Sequence, residues 1–117
     1  MTKEPLRADV LQGTLDLMVL RTLEAMGPQH GFGLAKRIGQ ISEGALELNQ
    51  GTLYPALLRL EQRGWIRSRW GVSDHNRRAK FYELTAGGRR RIADEQKSWT
   101  RTVALMERFL RPADEEA

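Results

Sequence analysis

Residues 50–64, Gln-Gly-Thr-Leu-Tyr-Pro-Ala-Leu-Leu-Arg-Leu-Glu-Gln-Arg-Gly, decide how the rest of the chain is read. Leu53, Leu57 and Leu60 follow one another at spacings of four and three, which places them on one face of a helix running from about Gln50 to Arg63. The other face carries Gln50, Thr52, Pro55, Arg59 and Arg63, with Tyr54 at the boundary. Asn49 suits the N-cap, because its short side chain can accept from an unpaired amide of the first turn, and Gly64 closes the helix. Pro55 conflicts with this frame. It removes one helical hydrogen bond and lies beyond the first turn, where proline is free, so either the helix starts later or its first turn is bent.

Working outward, two strand-like runs follow at residues 65–70 and 79–84, both rich in aromatic and branched side chains. The residues between them, Gly-Val-Ser-Asp-His-Asn-Arg-Arg, read as a loop ending in paired cations. Upstream, a first helix spans about Val10 to Met26, with Leu11, Leu15, Met18, Leu23 and Met26 at helical spacing and Val19 and Leu20 widening the stripe. Asp9 with Gln12 suits a capping box, and Gly27-Pro28 ends the helix. A shorter helix from about Phe32 to Ile41 turns Leu34, Ala35, Ile38 and Ile41 inward. Residues 42–48 form a connector with room for a very short strand. Three helices followed by a hairpin with a basic tip give a mainly α chain with the order of a winged helix-turn-helix.

The last helix runs from a Thr85 N-cap to about Arg111. Ile92, Trp99 and Met106 are seven apart, as are Gln96, Val103 and Leu110, which draws a narrow apolar seam on a charged helix. At 1.5 Å per residue such a helix is close to ~40 Å long, more than so small a domain covers. A second copy is the simplest cover, with help from the first helix, so Ile92, Trp99, Val103, Met106 and Leu110 are the expected dimerisation residues. The expected division is a winged helix-turn-helix unit at 1–84, a dimerisation helix at 85–111 and a disordered tail at 112–117.

Composition narrows the function. The 117 residues suit one ordinary domain, and 40% hydrophobic content supports a small core. The absence of cysteine excludes disulfides, thiolate metal sites and cysteine nucleophiles. No leader pattern and no membrane-length apolar run is visible, which leads to the expectation of a soluble cytoplasmic protein without membrane association. Between Arg63 and Arg91 nine cations face only Asp74 and Glu83, a net of +7, while the rest of the chain, with ten cations against thirteen acids, carries −3. Such concentration is the footprint of a polyanion binder, although a solvated basic face has the same composition. His30 and His75 are dispersed and lack clustered carboxylates, so neither a metal site nor a general-base constellation is expected. Gly87-Gly88-Arg89 lacks the spacing and lysine of a phosphate-binding loop. No cofactor and no enzymatic activity are expected.

In detail the chain resembles the PadR family of bacterial transcriptional regulators, in its smaller subgroup with a single C-terminal helix. The resemblance rests on Leu-Gln-Gly-Thr-Leu-Asp-Leu at 11–17, His-Gly-Phe-Gly-Leu at 30–34 and Gly-Thr-Leu-Tyr-Pro-Ala-Leu-Leu-Arg-Leu-Glu at 51–61. Arg-Gly-Trp-Ile at 63–66, Arg-Arg-Ala-Lys-Phe-Tyr-Glu-Leu-Thr at 77–85 and the glycines at 87 and 88 continue it. It implies a winged helix with a dimerising last helix, acting as a repressor on double-stranded DNA. Position 32 is Phe where the family often has Tyr, and the larger C-terminal bundle of longer members is absent, so their effector chemistry is not carried over.

The resemblance places Thr52, Tyr54, Pro55 and Arg59 on the DNA-facing side of the recognition helix. Chemistry supports the placement, because hydroxyl and guanidinium groups bond base edges or phosphates in a major groove that admits a helix. Gln50 suits base reading, since an amide can pair bidentately with adenine. Arg77, Arg78 and Lys80 at the wing suit phosphate, because adjacent arginines on a loop are not buried cheaply. Lys36 and Arg37 on the second helix are further backbone candidates. Arg89, Arg90 and Arg91 open the last helix against its dipole, which suits nearby phosphates or a solvated face alike. Some family members bind a small aromatic effector between subunits. Trp99 then reads either as an effector contact or, more simply, as dimer core. A winged helix used for protein–protein contact is the competing class, and the cationic wing tip argues against it.

Overall fold

The computed structural model describes residues 8–112, with side chains from Thr14 onward. The first seven residues of the 1–84 unit, the side chains of Asp9, Leu11 and Gln12, and the tail from residue 113 lie outside the described part. The elements are α1 (Ala8–Met26), β1 (Gln29–His30), α2 (Gly31–Ile41), α3 (Gln50–Gln62), β2 (Ile66–Val72), β3 (Arg78–Leu84) and α4 (Ala86–Leu110). The three strands form one antiparallel sheet in the order β1-β3-β2. This is a mainly helical winged helix-turn-helix, with the β2–β3 hairpin as its wing.

Helix α3 starts where its leucine spacing put it. Asn49 caps it, accepting from the Thr52 amide at 2.9 Å, and the Thr52 and Leu53 amides both reach the Asn49 carbonyl. The helix runs unbroken through Pro55, so neither a late start nor a bend is needed. The carbonyl that Pro55 leaves without a helical donor belongs to Gly51, which is exposed, so water can serve it. At the other end Gly64 takes a φ of 77°, the left-handed position that ends the helix.

Leu53, Ala56, Leu57 and Leu60 of α3 are buried against Leu15, Val19, Leu20 and Leu23 of α1 and Leu34 and Ile38 of α2. Ile66 and Tyr82 close this core from the sheet side. Burial of each large aliphatic side chain contributes about 1.5–3 kcal/mol relative to exposure. Met26 and Ile41, expected inward, are instead exposed. They sit where α1 and α2 end, beyond the reach of the packed leucines.

Two further expectations are corrected. Residues 42–48 hold no strand; Glu43 and Gly44 take positive φ values and turn the chain directly toward α3. The short strand is β1, whose two residues pair with Tyr82 and Phe81. His30 then caps α2, its Nδ1 accepting from the Gly33 amide at 3.0 Å, and its ring meets the Phe81 ring edge-on. The hairpin is also longer than its composition suggested. Its register runs from Ile66 opposite Leu84 to Val72 opposite Arg78, leaving a turn at 73–77 in which the Ser73 amide bonds the Arg77 carbonyl.

Helix α4 begins at its Thr85 cap, which accepts from the Gly88 amide. Ile92, expected in the dimer seam, is only 3% exposed and belongs to the core of its own chain. The first two turns of α4 therefore complete the winged helix, across the division expected at residue 85. Gly88 explains how closely they pack. A Cβ there would run into the Trp65 carbonyl oxygen and the Leu84 side chain. Gly88→Ala is expected to lower the unfolding free energy by about 1–3 kcal/mol through overpacking. Gly87→Ala, whose nearest outside atom is 3.4 Å away, is expected to be near neutral in the same denaturant titration followed by circular dichroism.

Candidate nucleic-acid interface

Burial of one α3 stripe turns the opposite side of the helix outward. Gly51, Thr52, Tyr54, Pro55, Leu58 and Gln62 are all exposed there. Two of the groups expected to bond DNA have partners within the chain, and a third is enclosed. The Thr52 hydroxyl donates to Asn49 Oδ1 at 3.2 Å and so reinforces the cap. Arg59 donates to Asp16 Oδ1 at 2.8 Å, tying α3 to α1, with its guanidinium still partly open to solvent. Gln50 Oε1 is enclosed without a hydrogen-bond partner. It faces α2, since a Cβ on Gly31 would lie 3.2 Å from it and 3.6 Å from the Tyr54 hydroxyl.

The wing stands beside this helix. Alternation along β3 puts Arg78, Lys80, Tyr82 and Leu84 on one face, opposite Val72, Trp70, Ser68 and Ile66 of β2. That face is turned to α3, because the Ser68 hydroxyl donates to Glu61 and Lys80 Nζ lies 3.9 Å from the same carboxylate. Tyr82 sits beneath them. Its burial raises the phenol pKa above its ordinary value, and the neighbouring Tyr54 and Glu61 push it the same way. Toward the tip the same face becomes open: Trp70 is 60% and Val72 65% exposed. Arg78 is therefore not on the loop but on β3, with its guanidinium carbon 4.6 Å from the centre of the Trp70 ring. Arg77 sits in the turn itself, exposed. Tyr54, Pro55, Arg77, Arg78 and Lys80 thus lie on α3 and on the wing that adjoins it, while Thr52 stands on the other flank of the helix from Tyr54.

The remaining cations are spread out. Lys36 is exposed on α2. Arg37 is placed elsewhere, near Gln40 and on the rim of an apolar groove between α1, α2 and α4. That groove has a volume of about 650 Å³ and is lined by Met18, Met26, Ile38, Ile41 and Trp99 among others. Beyond it the seam residues Trp99, Val103, Met106 and Leu110 are exposed along α4, as are Leu105 and Phe109 on a neighbouring face. At the start of α4, Arg91 pairs with Glu95 and lies over the Trp65 ring, while Arg89 and Arg90 stay exposed. Among the described residues no three His, Cys, Asp or Glu side chains cluster to hold a metal.

Comparison with known proteins agrees with this geometry. The model of the PadR-like transcriptional regulator family matches residues 19–94. The chain belongs to the PadR-like family. A solved transcriptional regulator from Clostridium thermocellum is 27% identical and covers 89% of this chain and all of its own, with a TM-score of 0.80. A PadR family transcription regulator from Clostridium difficile is 30% identical over 84% of this chain and 99% of its own, at a TM-score of 0.71. An uncharacterised protein of Lysinibacillus sphaericus is 27% identical over 105 residues, 89% of this chain and 94% of that one. The PadR-like family is one of transcriptional regulators, so this chain is a regulator and not an enzyme.

Two side chains of α3 and the wing escaped the sequence reading. Leu58 was overlooked because it directly follows Leu57, although 100° of rotation separates them on the helix. Trp70 read as strand composition, and only the β2–β3 register brings it beneath Arg78. A cation stacked on an exposed ring gains about 0.5–1 kcal/mol and is held in one direction. Trp70→Ala is expected to weaken DNA binding about two- to fivefold by releasing Arg78. Combined with Arg78→Ala it should add little more, a non-additivity that fluorescence anisotropy on labelled duplex DNA would show in a double-mutant cycle.

Proposed function

We propose that this PadR-like chain is a homodimeric repressor that reads a near-palindromic operator with α3 and grips its phosphates with the wing. The observation that carries the reading is the single face on which the outward side of α3 stands beside Arg77, Arg78 and Lys80. A helix of that size enters a major groove, and cations on a neighbouring hairpin reach the flanking backbone. Repression follows from occupancy, because a protein holding both features excludes others from the same duplex. Operator DNA puts the site of action in the cytoplasm. Among the described residues no helix is long and apolar enough to cross a membrane.

The dimer rests on two uncovered apolar surfaces of one chain. One is the stripe of Trp99, Val103, Met106 and Leu110, and the other is the groove that Met26 and Ile41 help to line. The distal half of α4 from a second copy suits the groove, and two-fold symmetry makes each copy cover the other. Two α3 helices then address half-sites about one helical turn, or a multiple, apart. A small flat aromatic effector at Trp99 is the second reading, favoured by the apolar lining and volume of the groove. The seam reading is the simpler of the two, because Trp99 continues the stripe of Val103 and Met106.

The Val103→Asp, Met106→Asp double variant tests the assembly, since both residues lie outside the core of the chain. Light scattering is expected to show monomers, circular dichroism the helical content of the wild type, and anisotropy weakened binding to a two-half-site operator. A variant that remains a folded dimer contradicts this seam.

A further inference from the structure

The outward face of α3 is uncharged and holds few hydrogen-bonding groups where base reading would call for them. Opposite the buried stripe lie Gly51, Tyr54, Pro55, Leu58 and Gln62, with no charge among them. Leu58 is 57% exposed and Tyr54 50%. A lone exposed leucine on a surface is ordinary. This one sits one turn from Tyr54 and close to Pro55, at the centre of the face turned toward DNA, and three polar groups of the helix are turned or tied elsewhere. Gln50 Oε1 is shut against α2, the Thr52 hydroxyl serves Asn49, and Arg59 holds Asp16. The cations stand to the side, on the wing. This is the distribution expected of a surface that takes its affinity from phosphates at the rim and has to read bases at the centre with few donors.

The edges of the base pairs offer one apolar group to the major groove, the C5 methyl of thymine. We propose that α3 selects its half-site through thymine methyl groups packed against Leu58 and Pro55, so that the operator is defined by where thymines stand rather than by guanine contacts. The inference rests on the DNA-binding reading above and makes it specific. It assigns to Leu58 a specificity role for which neither charge nor hydrogen bonding is needed. It also accounts for the absence of a free arginine on the outward side of α3, where bidentate guanine recognition would require one.

The test starts from duplexes that the full-length chain selects out of a random library. Replacing a half-site thymine by 2′-deoxyuridine keeps every hydrogen-bonding group and removes only the methyl. For the wild-type chain, uracil at a contacted position is expected to weaken binding about fourfold per methyl removed, and uracil outside the half-sites to change nothing. Leu58→Ala leaves the core untouched, because Leu58 is exposed, and is expected to shrink the difference between thymine and uracil duplexes at the positions Leu58 contacts. Equal wild-type affinity for both duplexes overturns the inference and leaves the DNA-binding reading standing, as does an L58A variant that discriminates as strongly as the wild type at every position. A chain that selects no duplex from the library overturns both readings.

Discussion

Burial of Leu53, Ala56, Leu57 and Leu60 is the constraint on which the rest of this structure depends. These four side chains fix the rotation of α3 about its own axis, and rotation decides which residues face outward. The polar ties around the helix are weaker. The Arg59–Asp16 pair and the Lys80–Glu61 pair are partly exposed, and such pairs contribute about 0–1 kcal/mol each. Each buried leucine contributes about 1.5–3 kcal/mol. The apolar stripe therefore sets the orientation, and the ion pairs hold α1 and the wing in register with it. Because Glu61 also accepts from Ser68, the hairpin is referenced to the same helix.

Helix α4 shows the same logic applied to assembly. One apolar stripe runs along it, but only its first half is covered within the chain. Gly88 and Ile92 are buried within their own chain, where the close approach to Trp65 allows no side chain at position 88. From Trp99 onward the stripe leaves the domain and stays open. The groove beside it is apolar for the same reason, since Met26 and Ile41 lie past the ends of the packed leucines.

What the sequence disclosed, and what it withheld, follows from the range of each interaction. Local signals were legible. The spacing of the α3 leucines, the Asn49 and Thr85 caps and the glycine at 64 each act within a few residues, and the structure has them where they were read. The two-residue strand β1 was not legible, because two residues carry no periodicity and β1 exists only through its pairing with β3. Asp16 as the partner of Arg59, and Trp70 beneath Arg78, depend on tertiary packing and strand register. The heptad spacing of α4 was legible, but it cannot tell whether Ile92 meets its own core or a second copy. Of the DNA-facing candidates, those on the wing and at Tyr54 and Pro55 are brought together. Gln50 and Arg59 are drawn away by neighbours distant in sequence, and Arg37 turns toward Gln40 on its own helix.

The central claim is that the wing supplies affinity and α3 supplies selection, and salt dependence separates the two most directly. Phosphate contacts release counterions and carry no sequence information, whereas base contacts do the reverse. Affinity for operator and random duplexes would be measured against salt concentration for the wild type, Arg77→Ala and Leu58→Ala. The account predicts that Arg77→Ala weakens both duplexes alike and flattens the salt slope by about one unit. It predicts that Leu58→Ala keeps the slope and lowers only the ratio of operator to random binding. A wing variant with the wild-type slope, together with a helix variant that keeps the wild-type ratio, would contradict it.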